Sequence, residues 1–405
     1  MIKKIIHISD VHIRLLKRHK EYRQVFGTIY KQLKQYDSEE TIIVLVGDIL
    51  HSKTDLSPEA IALTSEFLIS LTNILPVVMI AGNHDGNLSN DSRMDALTPI
   101  VDALNIENLY YFKDTGIYDV GDNLQFGVAS VFNKVLPDAK LLDKDKIKIA
   151  LYHGIVNGAL IETGFRMTDG VFDVKDFDGY DLALLGDIHK PFQFMNKKKT
   201  VAYPGTFIAQ NYGEKQTKRG YLVWDLETMT SENIIVPNDY AYITLNVKDG
   251  LVDNTQIPNK PRIRFIVENT DLVQLRKIIA DIKAKYDVQE VIINRVDNSK
   301  NIKRDTAYSL TDSIRSPDFQ NGLIKEFLKH NTALSTKEIE NVTDINIDFN
   351  DQIQKITQDR AAGDWKLKSL EFDNLFSYGK NNKIDFTKLS NTVGIFGPNH
   401  SGKSS

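Results

Sequence analysis

Short apolar runs punctuate the first 185 positions of the chain, and each ends on a polar cluster. "KKIIHIS", "TIIVLVGD" and "PVVMIAGNHD" are rich in β-branched residues and read as strands, whereas Lys20–Tyr36 and Pro58–Asn73 carry helical spacing. This alternation predicts α/β units whose loops at the C-terminal strand ends collect the functional groups. Further strands, "LQFGVAS", "KIKIALYH", "DLALLGD" and "RGYLVWDL", follow at closer spacing, as if a second sheet were being laid down. The expected fold is therefore α/β, and α+β over the whole chain, with a two-sheet sandwich flanked by helices over residues 1–237.

The pattern restarts near "VPNDYAYITLNV". A second strand, "PRIRFIVE", a helix over Leu272–Lys285 and a third strand, "VQEVIINRV", make a small α+β unit over residues 238–300. Within residues 301–362, Phe319, Leu323, Ile324, Phe327 and Leu328 fall on one helical face, and a polar helical stretch runs on to Arg360. "AAGD" reads as a break. After it, residues 363–405 offer three strands, "WKLKSLEFDNLFSYG", "KIDF" and "NTVGIFG", leading into "GPNHSGKSS".

Composition narrows the chemistry. At 405 residues, 41% hydrophobic and 26% charged, the chain has the balance of an ordinary globular protein with two or three domains. It has no cysteine, which excludes disulfides, thiolate metal sites and thiol nucleophiles, so a metal must be held by His, Asp, Glu or Asn. The longest strongly apolar run, "IIVLV", is far below a membrane span, and no membrane association is expected. A cytoplasmic setting follows, or a nuclear one for a eukaryotic or eukaryotic-virus source. The formal net charge of −4 does not advertise nucleic-acid binding, so any DNA contact must come from local patches such as "KRHK", "NKKK" and "KQTKR".

Five segments place metal-ligand residues at strand ends. "SDVH" supplies Asp10 and His12, "GDILH" Asp48 and His51, "GNHD" Asn83, His84 and Asp85, "YHG" His153, and "GDIH" Asp187 and His189. Two divalent ions about 3.5–4 Å apart need a shared carboxylate, further oxygen and imidazole ligands, and open positions for water and phosphate. Asp48, following a central strand, is the candidate bridge. Asp10, His12 and His189 complete one site, and Asn83, His153 and Asp187 the other. A thiolate-free Asp, His and Asn set suits Mn, Fe or Zn better than Ca, with Mn preferred. His51, three residues past Asp48, either faces the phosphate as a catalytic group or is an ordinary loop histidine. His7, inside a strand pattern, is expected in the core.

This spaced set, over roughly Met1–Lys300, resembles the calcineurin-like metallophosphoesterases, and specifically the SbcD-type DNA repair nucleases. "GDILHSK" lacks the Arg of the phosphatase pattern, and "YPGTF" resembles the nuclease pattern. The resemblance implies that Asp10, His12, Asp48, Asn83, His153 and His189 ligate metal and that His84 is the catalytic histidine. Asp187 departs from the histidine common at its place. It further implies in-line attack of a metal-activated water on DNA, as a 3′ to 5′ exonuclease and single-strand or hairpin endonuclease, within a homodimer. Residues 238–300 resemble a DNA-capping domain, and Thr306–Arg360 the helical segment that grips the partner ATPase. A small phosphodiester, a phosphoprotein substrate or a non-catalytic scaffold are the competing expectations.

The last segment, "GIFGPNHSGKSS", resembles the start of an SbcC-type, SMC-like ATPase head. Gly397, Asn399, Gly402, Lys403 and Ser404 fall in its phosphate-binding loop, with Lys403 reaching the β and γ phosphates and Ser404 ligating Mg²⁺. His400 departs from the usual glycine, and no Walker B carboxylate follows. ATP and Mg²⁺ are therefore expected only if the head is completed. The chain reads as a nuclease fused to the first residues of its own ATPase partner, part of a longer polypeptide.

Overall fold

The computed structural model describes residues 1–90, 93–194, 200–214, 219–253, 255–296, 316–331, 334–357, 367–375 and 378–389. The phosphate-loop residues Gly397, Asn399, Gly402, Lys403 and Ser404 lie outside them, as do "NKKK", Lys215–Lys218 of "KQTKR", the "AAGD" break and the third C-terminal strand. Two compact units emerge: the described parts of Met1–Tyr242 with Lys368–Ser405, and those of Ile243–Leu367.

The first unit is a sandwich of two six-stranded sheets. One contains β1 (Lys4–Ile8), β2 (Thr41–Val46), β3 (Val77–Ile80) and β4 (Leu109–Tyr111), which are mutually parallel, with β11 (Gly220–Asp225) added antiparallel beyond β1 and β12 (Thr230–Ile235) antiparallel to β11. The other runs from β5 (Gly116–Val120) through β6 (Leu124–Ala129), β7 (Ile147–His153), β8 (Leu182–Gly186) and β10 (Val201–Tyr203) to the short β9 (Phe192–Gln193). Its β6, β7, β8 and β10 are parallel.

Period-two alternation distributes each strand between two cores. Ile42, Val44 and Val46 of β2 face Ile149 and Leu151 of β7, Leu182 and Leu184 of β8, and Trp224 between the sheets. Ile43 and Leu45 face the other way, onto α1 (His19–Leu33), α2 (Pro58–Thr72) and α3 (Thr98–Leu104). Burial on both faces explains why "TIIVLV" is an unbroken apolar run. Helix α1 turns Tyr22, Val25, Phe26, Ile29 and Leu33 inward. Helix α2 starts where Pro58 occupies its first turn and the Ser57 hydroxyl accepts from the Ala60 amide at 3.2 Å.

The outer face of the second sheet is built differently. Ala129, Ala150 and Ala183 leave room there, and a long loop closes on them with Val156, Ala159 and Phe177. Among the described residues, the α-helices of this unit thus flank one sheet, and a loop covers the other. A hairpin of β17 (Ser369–Phe372) and β18 (Asn382–Asp385) belongs to the same unit, and its Asn374 accepts from the Asn90 amide at 3.2 Å.

In the second unit, β13 (Tyr240–Lys248), β14 (Leu251–Val252), β15 (Lys260–Glu268) and β16 (Glu290–Arg295) form a sheet in the order β14-β13-β15-β16. Leu245, Val247, Ile263, Phe265 and Val267 of this sheet pack on Leu275 and Ile282 of α4 (Leu272–Lys285). Two further helices, α5 (Pro317–Asn331) and α6 (Thr336–Thr357), meet along a polar seam. There Asn346 donates to Asn321 at 2.9 Å and Asn350 to Gln320 at 2.8 Å. Phe319, Leu323 and Phe327 of α5, with Ile345, Phe349 and Ile353 of α6, are exposed. No helix among the described residues is long and apolar enough to cross a membrane.

The helix–sheet core turns on aromatic packing: the Phe26 and Phe67 rings stack at 4.2 Å, joining α1 to α2. Phe67→Ala is expected to cost about 3–5 kcal/mol of stability through lost burial and a residual cavity. Denaturant unfolding measures it, and a loss below about 1 kcal/mol would contradict the assigned packing.

Candidate metal centre

The parallel strands of both sheets deliver the polar clusters to one edge. Asp10 and His12 follow β1, Asp48 and His51 follow β2, Asn83 and His84 follow β3, His153 ends β7, and Asp187 and His189 follow β8. Two imidazoles stitch the sheets together there. His153 Nδ1 donates to the Val46 carbonyl at 2.8 Å, and His7 Nε2 to the Leu185 carbonyl at 3.1 Å. Burial pushes His7 down to about 3, against the opposing pull of that carbonyl, so it stays neutral in the core.

Close approach is made possible by glycine. A Cβ at Gly47, whose φ is +74°, would stand 2.3 Å from His153 Nδ1, and one at Gly82 would stand 2.1 Å from an Asp48 carboxylate oxygen. Backbone strain is concentrated in the same loops: Asp10, His12, Asp48 and Asp187 hold φ of 55°, 53°, 53° and 96°. Non-glycine residues rarely adopt such angles, and a cluster of them marks a place where surrounding contacts over-determine the backbone.

Asp48 sits at the middle of the cluster. Its Oδ2 lies 3.5 Å from His12 Nε2 and its Oδ1 lies 3.4 Å from His153 Nε2. One carboxylate thus faces two groups of donors with different oxygens. On the first side, His12 Nε2 and His189 Nε2 approach to 3.0 Å, and Asp10 Oδ1 lies 3.9 Å and 3.8 Å from them. On the second, Asn83 Oδ1 is 3.0 Å and Asp187 Oδ1 3.9 Å from His153 Nε2. All seven expected ligand residues therefore converge, and Asp10 also stands with Asp48 and His153.

His84 and His51 lie beside the first group, their rings stacked at 5.3 Å and each near His12. His84 Nδ1 donates to the His51 carbonyl at 2.7 Å, which fixes the ring. The His84 amide donates to Asp48 Oδ1 at 2.8 Å, tying the loop after β3 to the central carboxylate. Burial, reinforced by the Arg14 charge, brings His51 down to about 4, so it is neutral at physiological pH.

The donor set fits divalent cations. Asp10 and Asp48 are fully buried, and among the described residues neither has a Lys or Arg ion pair. Two imidazole nitrogens aimed at one point beside carboxylates are arranged for a positive guest, and among the described residues His12 Nδ1 is buried without a hydrogen-bond partner. Burial would raise the Asp48 carboxyl, but the facing His153 and His12 hold it well below the usual carboxylate range. Burial lowers His153 and His189, yet their neighbours win: Asp48 raises His153 well above the usual imidazole value, and Glu214 with Asp10 lifts His189 to about 9.

Two residues take parts that the motifs did not foresee: Asp85, grouped by sequence with the strand-end ligand residues, and Glu214. Asp85 is buried beneath the site, where its carboxylate accepts from the amides of Leu50 and Gly82 at 2.8 Å and of Ile49 at 3.2 Å. It thereby fixes the loops that carry Asp48 and Asn83, and the only sequence signal was its place in "GNHD". Glu214 reaches His189 Nδ1 at 2.8 Å from a turn 25 residues away, which no local pattern announces.

These shifts set a pH dependence. An imidazole must be unprotonated to ligate, so below the raised values of His153 and His189 a cation has to displace protons. Affinity is expected to weaken about tenfold per pH unit for each proton displaced as pH falls from about 9 to 7. Calorimetry with Mn²⁺ in buffers of different ionisation enthalpy counts those protons, and pH-independent binding without proton release would contradict the assignment.

Comparison with known proteins agrees with this geometry. Residues 3–191 match the calcineurin-like phosphoesterase family. The whole chain is 42% identical, over 424 aligned positions, to an uncharacterized protein of Acanthamoeba polyphaga mimivirus, and spans 31% of that protein's length. A second relative is a component of the nuclease SbcCD from Staphylococcus epidermidis, 26% identical over 251 positions that take in 55% of this chain and 66% of the relative. The strand-end motifs and the carboxylate shared between two donor groups agree with the family match and support a calcineurin-like phosphoesterase domain over residues 3–191.

Proposed function

We propose that the chain is a two-metal DNA nuclease that hydrolyses phosphodiester bonds during double-strand break repair, acting with an SbcC-type ATPase. The observation that carries the proposal is the division of the Asp48 carboxylate, one oxygen toward His12 and the other toward His153. The similarity to a component of the nuclease SbcCD supports DNA as the substrate.

Asp10, His12, Asp48 and His189 would hold one ion, and Asp48, Asn83, His153 and Asp187 the other, Mn²⁺ being the preferred metal. When bound, the ions supply Lewis-acid activation of water and neutralise charge on the phosphate. The residues of the chain do the rest. Asp48, pinned by the His84 amide, and Asn83, carried on the loop that Asp85 braces, fix the geometry without reorganisation during reaction. His84 meets the phosphate with Nε2 because Nδ1 is committed to the His51 carbonyl, and so stabilises the phosphate or protonates the leaving oxygen. The neutral His51 ring, stacked on His84, holds that ring upright.

Residues 238–300 would position the DNA, and the exposed apolar residues of α5 and α6 would engage the ATPase. Lys403 and Ser404 would contribute to nucleotide binding only within a completed head.

Mn²⁺-dependent cleavage of duplex ends and hairpins is the expected activity. Asp48→Ala should abolish it together with binding of both ions, whereas His84→Ala should keep the ions and lower kcat by about 10²–10⁴. Robust cleavage by both variants would sink the site. Turnover of a small chromogenic phosphodiester with none of DNA would reject the nuclease in favour of a small-molecule phosphodiesterase.

A further inference from the structure

His189 is held from behind by a network that neither the motifs nor the family match assigns. Glu214 Oε1 accepts from His189 Nδ1 at 2.8 Å and from the Asn211 side-chain amide at 2.8 Å. Glu214 Oε2 accepts from the Gln210 backbone amide at 2.8 Å and lies 3.3 Å from the Arg219 guanidinium. Arg219, only 1% exposed, also donates to the His189 carbonyl at 3.0 Å, to the Thr206 carbonyl at 3.2 Å and to Glu162 at 2.9 Å. Glu214 thus grips His189 at the ring, and Arg219 grips it at the backbone.

We propose that Glu214, braced by Arg219, is a positioning residue for the cation held by Asp10, His12 and His189; this rests on the two-metal reading above. The reason is geometric. Rotation of an imidazole about its terminal torsion is soft, and either ring nitrogen can carry the proton. A carboxylate on Nδ1–H removes both freedoms, because it fixes the ring plane and leaves Nε2 as the ligating nitrogen. That nitrogen then sits 3.0 Å from His12 Nε2 and 3.8 Å from Asp10. The carboxylate also makes the imidazole a stronger donor to a cation.

His153, on the other side of Asp48, is fixed instead by the Val46 carbonyl. The two halves of the centre are therefore oriented by independent devices: a neutral backbone acceptor for one and a charged side chain for the other. Loss of Glu214 should weaken one cation and spare its neighbour. A general loss of structure would not discriminate in that way.

The test is calorimetric titration of Mn²⁺ into wild-type protein, Glu214→Gln, Glu214→Ala and Glu162→Ala. Glu162→Ala removes another Arg219 partner without touching His189, so it reports the cost of disturbing Arg219 alone. Glu214→Gln keeps a carbonyl oxygen for Nδ1–H and serves if the alanine variant does not fold. Wild type is expected to bind two equivalents. Glu214→Gln should weaken one binding step about 10–100-fold and leave the other within about twofold, and Glu162→Ala should change neither. Raising Mn²⁺ should then restore kcat on DNA in Glu214→Gln, a rescue that a purely structural lesion would not show.

Two equivalents bound with the same affinities in wild type and Glu214→Gln would overturn the role of Glu214 and leave the two-metal reading standing. Equal weakening of both steps in Glu214→Gln would overturn it as well. A wild-type protein that binds fewer than two equivalents would overturn both.

Discussion

The Asp48 carboxylate is the constraint around which the rest of the first unit is arranged. It is buried, it carries its charge because imidazoles from both sheets face it, and it offers one oxygen to each side. A buried anion without Lys or Arg partners is costly unless positive charge compensates it. The cluster meets that cost by converging donors from five strand ends on one small volume.

Holding such a cluster requires rigidity in the backbone more than in the side chains. Asp85 accepts three amides from the loops after β2 and β3, and the His84 amide is spent on Asp48 itself. Gly47 and Gly82 allow the imidazole of His153 and the Asp48 carboxylate to approach the chain more closely than any Cβ would permit. The positive φ values at Asp10, His12, Asp48 and Asp187 are the local expense of this arrangement. Stability comes from the apolar layers below, where β2 is buried on both faces.

Much of this was legible in the residues. The strands carrying the motifs, helices His19–Leu33 and Pro58–Thr72, and three of the four strands of the small sheet with helix Leu272–Lys285 follow from apolar periodicity. The short strands β4, β9 and β10 and helix α3 were not foreseen, because two to seven residues carry too little periodicity to register. The loop that covers the second sheet was hidden for a related reason. Its packing depends on alanines at 129, 150 and 183, whose smallness has meaning only once their face is known.

The sequence by itself determined the kind of chemistry: a thiolate-free set of Asp, Asn and His placed after apolar strands, with Asp48 as the candidate bridge. Strand periodicity and loop position are local properties, so they survive in one dimension. Only the tertiary structure decided how those side chains are grouped and oriented. It gave the oxygens of Asp48 different partners, committed His84 Nδ1 to a carbonyl, and brought Glu214 and Arg219 behind His189. Some of those contacts join neighbouring strand ends of one sheet, as His84 to His51, and others, as Asp48 to His153, cross between sheets, so none of their distances exists before the chain has folded.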